Sequence, residues 1–212
     1  MSNPEYICDQ ISEGNSSSKT TYLKLWKVDA CQIYPYTIYA VRFYGNNSLS
    51  GQNLDALNIG LAEDFNNIVD HSQSAVSGYV ITQYYPQKSQ LITSICDFGV
   101  GISGKINAYK MSVGEPPVAD MEALKLAMEV GYSTKTVPHN KGLGLPNVIS
   151  TIKDLNSSIK IISNGAMYMF ENEGVGLIKA VEPNFGGTLI VIKINTNNLP
   201  PEGPLSGNEL YL

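Results

Sequence analysis

Two polar residues one helical turn apart, Glu63 and Asn67, are suited to metal and phosphate chemistry. An Asn side-chain carbonyl is a hard oxygen ligand of the kind Mg2+ accepts beside waters and substrate phosphates. A carboxylate four residues earlier lies on the same helix face and can polarise a nucleophile. A solvated helix face accounts for the same pair, because Leu54, Leu57, Leu61, Phe65 and Ile68 form the apolar stripe on the other side. Further along, Asp97 ends an apolar run and is followed by Gly99, Gly101 and Ile102. A carboxylate at a strand end can accept a hydrogen bond from an exocyclic amine, and glycines let backbone approach a ligand. A tight turn capped by Asp explains the same letters. Lys141, Gly142, Leu143, Gly144 and Leu145 stand at a helix start, where free N–H groups and the helix dipole favour an anion, with Lys135 nearby to add charge. A glycine-capped helix entry needs the same residues. Gly186-Gly187-Thr188 opens a last strand, and the Thr188 hydroxyl is placed to bond Asp97 or a water beside it, although a hairpin turn into a strand reads the same way. In this order the four stretches supply a metal ligand with a base, a base-reading carboxylate, a phosphate cradle and a closing strand. Those are the parts of a magnesium-ATP site.

The elements that must position these residues alternate in type. Tyr22 to Ala30 reads as a strand, and Pro35 to Tyr44 serves a helix or a strand almost equally. The stripe from Leu54 to Ile68 predicts a helix carrying Glu63 and Asn67. Tyr79–Tyr85 and Leu91–Cys96 read as buried strands joined by a turn at Pro86-Gln87-Lys88-Ser89. A long connection, roughly 103–140, contains one predicted helix from Asp120 to Val130, with Met121, Leu124, Ala127 and Met128 inward and Gly131 as its stop. A helix follows over about 143–155, then strands near 158–163, 166–170, 176–181 and 187–195, with Asn164-Gly165 as a hairpin signal. Helices early and in the middle with strands gathered late predict an α+β two-layer sandwich, helices on one face of a mixed, mostly antiparallel sheet.

Composition narrows the function. The 212 residues carry a net charge of −5 and no basic stripe, which argues against a nucleic-acid partner. No apolar run is long enough to span a bilayer, and the start lacks a signal-peptide pattern, so no membrane association is expected. Cys8, Cys31 and Cys96 form no disulfide framework, which suits a reducing cytoplasm. His71 and His139 lack the companions of a zinc site. Asp97-Phe98-Gly99 is not a protein-kinase motif here, because no Gly-rich loop or His-Arg-Asp segment accompanies it. A Walker A spacing is also absent.

The four stretches resemble the nucleotide-binding domain shared by gyrase-type topoisomerases, Hsp90 chaperones, sensor histidine kinases and MutL-type repair proteins, the GHKL superfamily. Glu63-x-x-x-Asn67-x-x-x-His71 is similar to its first box, Asp97-x-Gly99-x-Gly101 to its second, Gly142-Leu143-Gly144-Leu145 to its third and Gly187-Thr188 to its final strand. The likeness covers roughly residues 50–195 and is nearest to standalone histidine-kinase-like and anti-sigma-factor-like domains. Gly131-Tyr132-Ser133-Thr134-Lys135 looks like the Ser-Thr-Lys segment of the ATP lid. Two positions depart from the pattern: Asn140 replaces a common Gly, and Phe98 a common Asn.

The resemblance implies a Bergerat-type fold with ATP and Mg2+ as cofactors, Asn67 as metal ligand and Glu63 as the catalytic base. It implies that Asp97 reads adenine and that residues 103–145 form a lid. It implies an ATP-binding regulator in signal transduction that phosphorylates a protein partner or hydrolyses ATP slowly, or else a nucleotide-gated binding module without turnover. A homodimer is compatible with the sequence. By domain, 1–50 form a lead-in packed on or adjoining the ATP-binding unit, 51–195 that unit, and 196–212 a loose tail.

Overall fold

A computed structural model describes residues 21–28, 33–58, 78–129, 144–171 and 174–202. Its strands are β1 (Trp26–Val28), β2 (Gly78–Tyr85), β3 (Gln90–Asp97), β4 (Ser158–Glu171) and β5 (Leu177–Asn195). They form one sheet in the order β1-β2-β3-β5-β4. Every pairing is antiparallel, so the mixed sheet expected from the sequence is not present among the described strands. The helices are α1 (Ile33–Asn46), α2 (Gly101–Ser112), α3 (Asp120–Ala127) and α4 (Gly144–Asp154). The fold is α+β in two layers.

Strand periodicity creates the layering. Cross-strand partners share a face, so the registers stack side chains in rungs. Val80, Ile95, Ile190 and Ile161 make one rung, and Thr82, Thr93, Ile192 and Ile159 the next. All eight are buried. Their neighbours on the opposite face, including Ile81, Ser94, Cys96, Val191 and Ile162, stay half-buried. Helix residues Tyr36, Leu124, Val148 and Ile152 complete the same core as the apolar rungs. Each fully buried Ile or Leu there contributes roughly 1.5–3 kcal/mol.

The ambiguous stretch at Pro35 to Tyr44 is helix. Pro35 sits in the first turn, where it sacrifices no helical bond, and Tyr36, Ala40 and Tyr44 at four-residue spacing form its buried face. The Tyr36 hydroxyl donates to Thr82 Oγ1 at 2.8 Å and Tyr44 to the Thr82 carbonyl at 2.8 Å. A strand would direct alternate residues, not every fourth, at Thr82.

Three sequence expectations need correction. The connection from 103 is not a loop at its start: α2 occupies 101–112 and α3 occupies 120–127, with Ile106, Ala123 and Leu124 buried. Ile106, Ala123 and Leu124 tie these two helices to the framework while 111–117 are exposed, and 130–143 of the expected lid lie outside the described residues. Met121 is not inward but 45% exposed; Ala123 takes its place, because α3 presents positions 123 and 124 to the core. Asn164-Gly165 is not a hairpin turn. It is an irregularity inside β4, which runs on to Glu171. The expected four late strands are therefore two long ones.

The segment after β5 is also tied down. Thr196 and Leu199 are buried, Gln52 bridges Pro201, and the Asn53 N–H donates to the Pro200 carbonyl at 2.8 Å. Among the described residues no helix is long and apolar enough to cross a membrane.

Candidate functional site: a buried carboxylate at the end of the sheet

Beyond the two apolar rungs the covered face ends in a polar one. Asp97 pairs with Thr188, and Thr188 with Ser163. All three side chains are buried, Asp97 to 4% exposure. Asp97 is the last residue of β3, so its carboxylate stands where the chain leaves the sheet. The Gly99 N–H folds back to donate to Asp97 Oδ1 at 2.7 Å, an Asx turn of the kind Asp favours. Thr188 is the cross-strand partner of Asp97 on the same covered face, which sets its side chain beside the carboxylate.

Burial pushes the Asp97 carboxyl above its ordinary value of 3.8, and the donors from Gly99 and Thr188 oppose the rise. Among the described residues the groups that moderate it are uncharged. Loss of water disfavours the ionised form, and hydrogen bonds to that form favour it. An ionised carboxylate has about four lone-pair positions, and the Gly99 N–H takes one, which leaves capacity for further donors. The Cys96 thiol on the other face is raised chiefly by burial and further by the Asp97 charge.

A second layer of contacts fixes the turn that follows. The Ile102 N–H, at the start of α2, donates to Ser163 Oγ at 2.8 Å. The Ser103 N–H reaches Asn164 Oδ1 at 3.3 Å, and the Asn164 amide donates to the Val100 carbonyl at 3.2 Å. Val100, the cap residue of α2, makes no side-chain cap bond. The orphan donors of this helix end are thus satisfied from β4. Asp120, in the first turn of α3, accepts the Gly165 N–H at 2.9 Å, so the same bulge holds two helices.

Two glycines are required here. Gly101 has φ +71°, and a Cβ there would run into the Asn164 amide. Gly187 has φ +125°, and a Cβ would strike the Asp97 carbonyl oxygen. The sequence reading gave the glycines of the second box to ligand approach. Gly101 instead admits a side chain of the protein itself.

Of the residues marked by the sequence, the structure brings Asp97, Gly99, Gly101, Ile102 and Thr188 together at one end of the sheet. Gly144 is the first residue of α4, and Leu145 beside it is a buried core residue. Glu63, Asn67, Ser133, Thr134, Lys135, Lys141, Gly142 and Leu143 lie outside the described residues, as do both histidines. Among the described residues no cluster of His, Cys, Asp and Glu could hold a metal ion.

Ser163 and Asn164 escaped the sequence reading, yet a signal was there. The buried positions of β4 run Ile159, Ile161, Ser163 and then Ala166, Met167, Tyr168 and Phe170. The alternation changes parity at Asn164-Gly165, where the register to β5 shifts twice: Ser163 faces Thr188, Asn164 faces Phe185 and Ala166 faces Ala180, so the unmatched residues lie on β5. Asn164 carries the positive φ of 53° at that point. Set against known proteins, the chain matches no family model and no curated protein.

Proposed function

We propose that this protein binds ATP with Mg2+ in the manner of the histidine-kinase-like ATPases and regulates a protein partner in the cytoplasm, by phosphorylating it or by slow ATP hydrolysis. One observation carries the reading: a carboxylate 4% exposed, at a strand end, whose moderating contacts are all uncharged donors. A buried charge without a cation beside it is costly. A structural turn has no need of it, since Asn would make the same Asx bond. An adenine amino group fits the remaining lone pair.

The described residues fit the base half of the nucleotide. The metal half rests on Glu63 and Asn67, and the phosphate half on Lys141 to Gly144 with Ser133 to Lys135, all from the sequence. Bound Mg-ATP would supply the transferable phosphoryl group. On this reading Asp97 orients the base, Gly99 and Thr188 hold Asp97, and Glu63 takes the nucleophile's proton. Calorimetry with Mg2+ tests it. ATP should bind and GTP, whose carbonyl faces the carboxylate, should bind much more weakly. Equal affinity would make Asp97 a turn residue.

A second reading, a nucleotide-gated binding module without turnover, is favoured by the apolar surface that flanks the carboxylate. Phe98 and Val100 are 48% and 43% exposed. Glu63→Ala separates the two. An enzyme keeps ATP affinity and loses turnover by about 10²–10⁴-fold; a module binds ATP with no turnover to lose.

A further inference from the structure

The face of the sheet turned away from the helices carries rungs of its own. Tyr79, Leu189 and Ile162 share one, and Ile81 and Val191 the next. The buried faces of α1, α3 and α4 lie in the core on the other side, and Ile102 of α2 packs against that core too. Among the described residues no helix covers this face, and its apolar side chains stay half-buried. A sheet face rich in Ile, Leu and Val is normally closed by another layer. Its cations point the same way. Lys27 pairs with Tyr79 on β1, Lys160 with Val191 on β4, and Lys193 on β5 lies opposite Ile92. Among the described residues none of these three lysines makes an ion pair. Their rungs contain no Asp or Glu, in a chain whose net charge is −5.

We propose that this open face docks an amphipathic helix of a partner protein, its apolar stripe bordered by Asp and Glu. A helix about 10–12 Å across covers about two strand spacings of 4.7–4.9 Å. The eight residues of β3 span about 27 Å, the length of about 18 helical residues. Laid along β3 and β5, such a helix buries Ile92, Leu189 and Val191. Lys27 then stands beyond one border, Lys160 beyond the other, and Lys193 toward one end. Lysine stems lie along apolar surface and bring their ammonium groups to the border, where carboxylates of the helix meet them. Apolar residues at i, i+3, i+4 and i+7 supply the stripe. At the Asp97 end, Phe98 meets Tyr79 and Phe185 with ring centroids 6.1 and 6.2 Å apart and offers an aromatic anchor for the helix end.

Charge and shape decide among the occupants. A second copy of the chain would bring the same three lysines against these three with no acid between them, and like charges facing each other cost affinity. An anionic membrane attracts lysines but requires apolar side chains that enter the acyl boundary. Ile81, Ile92 and Val191 are half-buried in the pleat and do not protrude. A helix needs no such protrusion, because its own side chains descend onto the sheet. The docking surface rests on this face alone. That its occupant is the regulated partner rests on the nucleotide reading above, so docking is measured without nucleotide.

The test is a displayed library of helices of about 18 residues, with Leu fixed along the stripe and the border positions randomised, selected against the full chain. Enriched helices should carry Asp or Glu at the borders. Added to the isotope-labelled protein, they should shift the backbone amides of Ile81, Ile92 and Val191 in nuclear magnetic resonance spectra. Against the double variant Lys160→Glu/Lys193→Glu the selection should turn to Lys and Arg borders, and the acidic helices should bind that variant about 10-fold more weakly. If the double variant does not fold, Lys193→Glu, at an exposed position, should weaken the acidic helices about 2–5-fold. A protein that binds no nucleotide yet selects acidic helices keeps the surface and ends the nucleotide reading. Borders whose charge ignores these variants overturn the proposal, as does a selection that enriches nothing or shifts amides elsewhere. Wild-type protein that sediments with phosphatidylserine vesicles through these lysines gives the face to a membrane, and a dimer that Ile92→Asp separates gives it to a second copy; either result also overturns the proposal.

Discussion

The two ends of the sheet are built from similar residues and do opposite things. At the end where β3 begins and β5 finishes, Ser, Thr and Asn bond almost wholly to backbone. The Thr196 N–H donates to the Ser89 carbonyl at 2.8 Å, the Asn195 N–H to Ser157 Oγ at 2.9 Å, and the Asn198 amide to the Leu155 carbonyl at 2.8 Å. The first is a bond between backbones; in the other two the Ser157 and Asn198 side chains replace missing backbone partners and carry no charge. At the other end Asp97, Thr188, Ser163 and Asn164 bond largely to one another and to the start of α2. Backbone pairing alone would satisfy a strand end at less cost. A carboxylate buried beside hydroxyls carries a cost that such a pairing avoids, which is why the candidate site is assigned to this end.

The largest effect should come from Gly187→Ala. At φ +125° and against the Asp97 carbonyl, the added methyl brings backbone strain and overpacking together, roughly 2–5 kcal/mol. A denaturant melt checks it. A loss under about 1 kcal/mol would show that this end yields as readily as the other.

Asp97→Asn should act on function and stability in opposite directions. Removing the ionised acceptor costs about 10–100-fold of the ATP preference over GTP, the worth of one hydrogen bond to a charged group. Stability should rise at neutral pH. Burial raises the folded carboxyl above 3.8, so the folded protein holds the proton to higher pH than the unfolded chain does. The contribution of Asp97 to stability is therefore fullest below about pH 3.8 and is lost as pH rises through the folded value. The advantage of Asn should shrink toward zero as the pH is lowered into the acid range. Melts of both proteins across pH decide; a variant less stable than wild type at neutral pH would mean that the charge contributes to the fold.

The smallest effect tests the quiet end. Ser89 has φ 49° in the turn between β2 and β3. Ser89→Gly relieves that conformation and should change stability by under about 1 kcal/mol, upward if at all. Glycine conformations would then matter at both ends, with collision confined to the Asp97 end. A loss well above that would give Ser89 a side-chain role.

Much of this was legible. The apolar runs Tyr79–Tyr85 and Leu91–Cys96 located β2 and β3, because a short apolar run bounded by a turn marks a buried strand. Asp97 stood out because an ionisable group ends a buried run. The helix α2 was hidden. Its buried residues are Gly101, Ser103 and Ile106, two of them too small to make a stripe, and its first turn is held by Ser163 and Asn164 from 61 residues away. The bulge was hidden differently. Asn-Gly favours positive φ in a hairpin and in a bulge alike, and local preference cannot choose between them.

By itself, then, the sequence determined the residue types and the periodicities: which strands are buried on one face, which helix faces are apolar, and that a carboxylate flanked by glycines follows β3. Those follow from local geometry and from the cost of exposing apolar surface. The tertiary structure decided who meets whom. Only the register of β4 on β5 on β3 brings Ser163, Thr188 and Asp97 to one rung, and only the contacts beside it, Asn164 against Gly101 and the Asp97 backbone against Gly187, explain why those two positions have no side chain. Register depends on pairing across the whole sheet, and a slip of one residue would turn all three side chains to the other face.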